Sequence, residues 1–180
     1  SYNELVDHVL MLFLAGHETS ASALTWALYL VASCPHIQQK IQQELKQIIG
    51  ENLEDELKFE HVKSLKFTHD VFREALRLYP PVGFFLREAA KNKEMRKQQI
   101  KKGDMVMVSP WLIHRNTDQW SNADSFCPAR FADDSPQAKE SIKSSYLPFG
   151  EGPRICIGAG FATQESIMVL ANLIKNFEFQ

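Results

Sequence analysis

The stretch FGEGPRICIGAG, residues 149–160, is the most informative part of this sequence. It places one cysteine, Cys156, in a loop with four glycines and with an arginine two residues before the cysteine. A disulfide needs a second cysteine and a zinc site usually needs a second close ligand, yet Cys34 and Cys127 are far away in the sequence. The loop therefore indicates some other chemistry for this cysteine.

That chemistry follows from what surrounds Cys156. A helix is predicted from residue 158 to residue 175, and the free N–H groups and dipole at its start favour an anionic sulfur. Arg154 could bind a carboxylate with two hydrogen bonds. Three glycines omit side chains that would block a flat ligand: Gly150, Gly152 and Gly158. A small apolar cysteine in a helix-capping loop would explain Cys156 alone, whereas a haem held by a cysteine thiolate explains the whole loop.

Composition narrows the class of protein. The chain has 180 residues, of which 44% are hydrophobic, and a formal net charge of −2. No nucleic-acid partner is indicated by this charge, and the apolar content is sufficient for a core. Three widely spaced cysteines argue against a disulfide scaffold and suit a reducing compartment such as the cytoplasm. Because the sequence opens on Ser1 inside a helical pattern, we expect it to be a piece of a longer protein.

Helical patterns dominate the chain, with short strands between them. Besides the last helix, helices are predicted over residues 2–33, 36–49 and 67–79, and one helical turn over 110–114. Strands are predicted over 82–87, 105–109 and 177–179, and residues 115–146 are expected to form an irregular but ordered meander. The predicted fold class is mainly α with small β-sheets.

Three local motifs have competing interpretations. The polar block Ala15-Gly-His-Glu-Thr-Ser20 interrupts an apolar helix, either where that helix reaches the surface or where it forms a polar groove beside a reactive centre. In the second case Gly16 allows a ligand to approach, and Thr19 bonds the carbonyl of Ala15 and distorts the helix.

The pair Glu74 and Arg77, taken alone, is typical of a solvated surface pair. The basic run over residues 91–102 is predicted to be a solvated hairpin edge rather than a partner-binding surface.

Taken together, the motifs resemble those of the cytochrome P-450 superfamily. Residues 149–158 match the signature F-x-x-G-x-R-x-C-x-G. Residues 15–19 resemble the oxygen-activating groove of the family's central helix, residues 74–77 its Glu-x-x-Arg motif, and residues 128–131 its Pro-x-Arg-Phe meander. The resemblance covers the whole chain but only the C-terminal half of a family member. It implies a partial haem domain over residues 1–180, from the central long helix to the cysteine loop and the following helix, without the N-terminal half and the terminal hairpin.

The resemblance also implies roles for individual residues. Cys156 would be the axial ligand of the iron of haem b, while Thr19 and Glu18 would be the catalytic residues of the oxygen and proton relay. A buried salt-bridged triad of Glu74, Arg77 and Arg130 would hold the meander under the haem. The other residues expected at the cofactor are Arg154, Arg87, Phe149, Gly150, Gly158, Ala15, Gly16 and His114, with both arginines and His114 near the propionates.

The activity implied is that of a haem-thiolate monooxygenase, which inserts one atom of O2 into an apolar small-molecule substrate. Electrons would come from a separate reductase or ferredoxin. Two alternatives stay open: a haem-thiolate enzyme that uses or rearranges peroxides, against which the Glu18-Thr19 pair argues, and a truncated fragment without catalysis. A membrane anchor preceding these residues would place the protein on the cytoplasmic face of a membrane.

Overall fold

The computed structural model describes residues 1–51, 53 and 55–180. Its helices are α1 (Tyr2–Ala32), α2 (Pro35–Ile49), α3 (Lys66–Leu78), α4 (Pro110–Ile113), α5 (Pro136–Ser145) and α6 (Ala159–Asn176). Short 3-10 turns cover Phe59–Ser64, Pro128–Phe131 and Gly152–Arg154. The strands are β1 (Phe85–Glu88), β2 (Lys93–Met95), β3 (Gln98–Ile100) and β4 (Met105–Val108). The predicted fold class, mainly α with small β-sheets, is confirmed.

The core lies where α1, α2, α3 and α6 pack against one another. The C-terminal part of α1 buries Ala27 and Val31, and α6 buries Leu170 and Ile174, all without exposed surface. The start of α3 is fixed by the neighbouring helix, since the carboxylate of Glu44 on α2 accepts hydrogen bonds from the first backbone N–H groups of α3. A carboxylate at a helix N-terminus pairs N–H groups that have no partner inside the helix. This core sets the relative positions of α1 and α6.

The N-terminal part of α1 lies outside this core. Every residue from 1 to 18 is exposed, and large apolar side chains on several sides of the helix are more than half exposed. These include Leu5, Val9, Leu10, Met11, Leu12, Phe13 and Leu14. In the part of the chain that the structure describes, no helix is long and apolar enough to cross a membrane.

Among the residues that the structure describes, four strands form two small antiparallel sheets. In the first, β1 pairs with β4 so that Leu86 lies opposite Met107 and Arg87 opposite Val106. In the second, β2 pairs with β3 as a hairpin, with Lys93 opposite Ile100 and Met95 opposite Gln98. The hairpin predicted from the basic run is therefore confirmed.

The strand predicted over residues 82–87 forms only over Phe85–Glu88, and two other predicted segments differ from the structure in kind. The meander over residues 115–146 contains a ten-residue helix, α5, where only irregular chain was predicted. Ser135 caps this helix through the N–H of Ala138, and Pro136 occupies its first turn, which are usual helix-start signals. The strand predicted at residues 177–179 is absent because the side chain of Gln38, rather than another strand, bonds both the N–H and the carbonyl of Phe179.

Candidate functional site

The cysteine loop is closed by a backbone hydrogen bond at its centre. The N–H of Cys156 donates to the carbonyl of Phe149 at 2.9 Å. Two glycines make the turn between them possible, because Gly150 has φ +72° and Gly152 has φ +76°, in the left-handed region that other residues rarely adopt. These two positions explain part of the glycine pattern by backbone geometry alone.

The thiol of Cys156 lies on an open surface. The residue is exposed and not in a disulfide. A Cβ added at Gly158 would lie 3.9 Å from the sulfur, so a side chain there would cover part of the thiol. Apolar side chains around it are also exposed, with Ile157 at 94% and Phe161 at 72%. An exposed sulfur among apolar side chains fits one face of a flat, largely apolar ligand.

The donor set near the sulfur fits haem better than a bare metal ion. Among the described residues, no group of three or more His, Cys, Asp or Glu side chains is placed to hold a metal ion. A single thiolate suits haem, because the porphyrin supplies four further ligands to its iron. The residues present therefore fit a thiolate-bound haem.

Arg154 and Arg87, the two arginines predicted to bind propionates, are both exposed. Arg154 ends the 3-10 turn that precedes Cys156. Arg87 lies on β1, where its Nη1 donates to the carbonyl of Leu86 at 2.9 Å and its guanidinium covers the ring of Phe85. Neither arginine forms an ion pair with a described residue. Both keep donors available for an anion, and propionate binding stays a prediction.

The polar block of α1 is placed on an exposed stretch of helix. Thr19 donates through Oγ1 to the carbonyl of Ala15 at 2.7 Å, as expected from the sequence. The expected distortion is absent, since α1 is a continuous α-helix from Tyr2 to Ala32 although this side-chain bond is formed. Glu18 is exposed, and, apart from the neighbouring residues of its own helix, no described residue has an atom within 4 Å of a Cβ added at Gly16. Because α1 packs against α6, whose start carries the cysteine loop, the polar block and the loop belong to two directly packed elements.

Glu74 joins α3 to the meander through two arginines. Its carboxylate accepts two hydrogen bonds from Arg77, at 2.7 and 2.8 Å, and one from Nε of Arg130 at 3.0 Å. The backbone N–H of Cys127 adds a fourth at 2.9 Å. Glu74 and Arg77 have no exposed surface, so the interpretation as a solvated surface pair is wrong.

Arg77 extends this network along the chain. Its guanidinium donates to the backbone carbonyls of His114, Ala123 and Ser125, at 2.8, 2.7 and 3.1 Å. One buried side chain therefore fixes three points between residues 114 and 125. The segment lacks regular secondary structure, and these side-chain bonds take the place of a backbone ladder.

His114 has a different role from the one predicted. The ring is fully buried, and each nitrogen is within hydrogen-bonding distance of the backbone: Nδ1 lies 3.2 Å from the carbonyl of Arg77, and Nε2 accepts from the N–H of Leu147 at 2.8 Å. With both nitrogens engaged, neither is available to a propionate. Burial, aided by the charges of Arg77 and Arg115, lowers the pKa of His114 to about 4. His114 is a neutral residue that joins α3 to the segment before the cysteine loop.

Two further residues of this network were missed in the sequence. Tyr146 donates to the carbonyl of Arg73 at 3.0 Å, and burial raises the pKa of its hydroxyl. Arg115 lies over the ring of Trp111, with 3.6 Å between the guanidinium carbon and the ring centre. The only sequence feature that indicated these contacts was the abundance of aromatic residues in the meander. That feature does not predict which polar group each aromatic ring contacts.

Comparison with known proteins gives a consistent result. A protein-family model described as Cytochrome P450 matches residues 1–180. The chain is 39% identical to the protein LUTEIN DEFICIENT 5, chloroplastic, of Arabidopsis thaliana, an alignment covering 100% of this chain and 30% of that protein. It is 37% identical to cyclooctatin synthase of Streptomyces melanosporofaciens (95% and 36% covered) and 32% identical to cytochrome P450 4V2 of Homo sapiens (98% and 33%). The chain spans about a third of the length of these curated relatives.

Proposed function

The chain belongs to the cytochrome P450 family, and on this premise we propose that the whole protein is a haem-thiolate monooxygenase acting on an apolar organic substrate. The observation that carries the proposal is the cysteine loop, with its exposed thiol, its two left-handed glycines and its neighbouring arginine. These features together fit a flat anionic cofactor with a sulfur ligand.

Residues of three elements would hold the haem. Cys156 would be its axial ligand, and Arg154 and Arg87 would bind its propionates, since both guanidinium groups are exposed. Further contacts would come from Phe149, Gly150, Gly158, Ala15 and Gly16. Haem bound through a thiolate supplies electron-rich iron chemistry that favours cleavage of the O–O bond.

The polar block of α1 would control protons at the site. The Thr19 hydroxyl donates its own proton to Ala15, which leaves its oxygen lone pairs free to accept from a water molecule. Glu18 is exposed and adjacent, so its carboxylate could exchange protons with solvent. The pair would therefore bring protons to a fixed position on the helix.

The substrate would be apolar because the exposed side chains near β1 are apolar. Val82, Phe84 and Leu86 are between 45% and 60% exposed. Together with the surface beside Gly16 and Thr19 they would form the substrate-binding wall. Two electrons per turnover would come from a separate reductase or ferredoxin.

The test of the proposal is the spectrum of the whole protein after reduction and addition of carbon monoxide. We expect the red-shifted Soret band of thiolate ligation, and we expect Cys156→Ala to abolish it. Cys34→Ala and Cys127→Ala are matched controls, because both thiols are half-buried away from the loop and should leave the band unchanged. A band that persists in the Cys156 variant would contradict the assignment.

A further inference from the structure

One hydrogen bond ties the cysteine loop to the elements that precede it in the chain. The backbone N–H of Leu147 donates to Nε2 of His114 at 2.8 Å. Among the described residues, every other hydrogen bond of residues 147–158 stays within residues 147–162. Phe149 adds packing against the helix core. In the described chain, the bond to His114 is therefore the one polar link between the start of this loop and the helices before it.

The two partners of the His114 ring determine which nitrogen carries its proton. The N–H of Leu147 can only donate, so Nε2 must be an unprotonated acceptor. Nδ1 lies 3.2 Å from the carbonyl of Arg77, which can only accept, so Nδ1 carries the proton. Arg77 is in the last turn of α3, where carbonyl oxygens have no partner inside the helix. One imidazole thus pairs an acceptor at the end of α3 with a donor at the start of the cysteine loop.

The surroundings of His114 keep this ring neutral and in place. The residue has no exposed surface, and its ring stacks on that of Tyr146 with the centroids 5.3 Å apart. The charges that act on the ring are those of Arg77 and Arg115, and both disfavour a second proton on it. Nε2 is therefore held as an acceptor at a fixed point of the structure.

The position of Leu147 is passed on to the cysteine through two backbone hydrogen bonds. The carbonyl of Leu147 accepts from the N–H of Gly150 at 3.2 Å, which closes a turn. Inside this turn, the carbonyl of Phe149 accepts from the N–H of Cys156 at 2.9 Å. A displacement of Leu147 would therefore move the carbonyl that holds the backbone of Cys156.

We propose that His114 is a positioning residue for haem ligation, an inference that rests on the proposed function of Cys156. By fixing Leu147, Nε2 of His114 holds the cysteine loop in the conformation in which the exposed sulfur can bind iron as a thiolate. The Glu74 network acts through the same residue, because Arg77 also donates to the backbone carbonyl of His114 at 2.8 Å. The order of the meander and the geometry of the cysteine loop are thereby coupled through one side chain.

Three substitutions of His114 differ in the bond that they keep. In His114→Gln the side chain reaches as far as Nε2 does, and its amide oxygen can accept from Leu147. In His114→Asn the side chain reaches only as far as Nδ1, so its amide can donate to Arg77 but cannot reach Leu147. In His114→Met the side chain has the length of glutamine without a strong acceptor. The set separates the acceptor for Leu147 from the filling of the buried space.

The test is the spectrum of the whole protein after reduction and addition of carbon monoxide. We expect His114→Gln to keep the red-shifted Soret band, and the Asn and Met variants to show it about tenfold more weakly, because the N–H of Leu147 loses its partner. Tyr146→Phe is the matched control, since it removes a bond to the carbonyl of Arg73 from the residue just before Leu147 and should keep the band. Thermal midpoints of all four variants show whether the band follows overall stability or the acceptor for Leu147.

Amide hydrogen exchange of the haem-free protein gives a second measurement that needs no cofactor. Residues 147–157 should exchange about tenfold faster in the Asn and Met variants than in the wild type, and at the wild-type rate in the Gln variant. If the Asn variant does not fold, the Met variant decides, because it fills the buried space.

Different outcomes would overturn this proposal and the proposed function. A band that the Asn and Met variants retain in full would overturn the role of His114, and so would an equal loss in Tyr146→Phe or unchanged exchange of residues 147–157. A wild-type protein without the red-shifted band would instead contradict the proposed function, and the role of His114 toward haem would fall with it.

Discussion

At the scale of single residues, Thr19 and Thr25 are a matched pair on α1. Each hydroxyl donates to the carbonyl four residues earlier, at 2.7 and 2.8 Å. We expect Thr19→Ala to retain haem but to release more peroxide per electron consumed, because the hydroxyl that positions water is lost. Thr25→Ala removes the same kind of helix bond and should leave peroxide release unchanged. Equal release from both variants would show that Thr19 acts only on the helix.

His114 makes stability depend on pH. Its pKa is about 4 in the folded protein, below the ordinary value of 6.5 that an unfolded chain would show. Protonation therefore favours unfolding. The contribution of the neutral, buried His114 ring to the free energy of unfolding is complete above pH 6.5 and is lost as the pH falls toward 4. The loss amounts to about 3 kcal/mol. His114→Gln keeps a donor and an acceptor but cannot titrate. Urea unfolding of both proteins from pH 7 to pH 4 should therefore show that the free energy of unfolding of the wild type falls by about 3 kcal/mol more than that of the variant. Parallel curves would contradict this explanation.

At the scale of elements, the Glu74 network attaches the meander to α3. The meander has a small core of its own around Trp120 and Phe131, and it is tied to α3 by packing and by the bonds that Glu74 accepts from Arg130 and the N–H of Cys127. Glu74→Gln would leave Arg77 buried beside a neutral amide and Arg130 without its carboxylate. We expect a loss of about 3–5 kcal/mol in the free energy of unfolding. Urea denaturation measures it, and Glu140→Gln, at an exposed glutamate, should change little. A loss no larger than that of the control would mean that the pair is solvated in solution.

Elements with a strong local signal were predictable, and those set by distant contacts were not. The long helices follow from apolar periodicity ended by prolines or glycine, so their bounds agree with the structure to within about two residues. Residues 177–179 have the composition of a strand, but a strand needs a partner that local sequence cannot supply. The roles of His114 and Tyr146 depend on carbonyls more than thirty residues away. The motif resemblance was sufficient to locate the cysteine loop, whereas the residues that support this loop could be identified only from the three-dimensional structure.

At the scale of the whole molecule, the described chain has a well-packed half and an open half. The four core helices bury their apolar side chains, but α1 continues beyond them with apolar residues exposed. The Cys156 loop, the start of α6 and the strands near Phe84 also carry exposed apolar side chains. Exposed apolar surface on this scale marks an interface with other protein or with a ligand. The candidate site is thus bounded by surfaces that these residues alone leave uncovered.

The 180-residue chain expressed alone should therefore self-associate and hold haem weakly. The residues of this chain leave the apolar side chains of the N-terminal part of α1 uncovered. A ligand that binds weakly also adds little to the stability of the fold. Sedimentation velocity at increasing concentration should show oligomers, and a pyridine haemochromogen assay should show little haem. Leu10→Glu with Phe13→Lys should reduce association because both side chains are more than half exposed on α1, whereas Gln39→Glu with Gln43→Lys on the exposed face of α2 should not. A soluble monomer with stoichiometric haem would show instead that the four core helices and the cysteine loop form an autonomous haem domain.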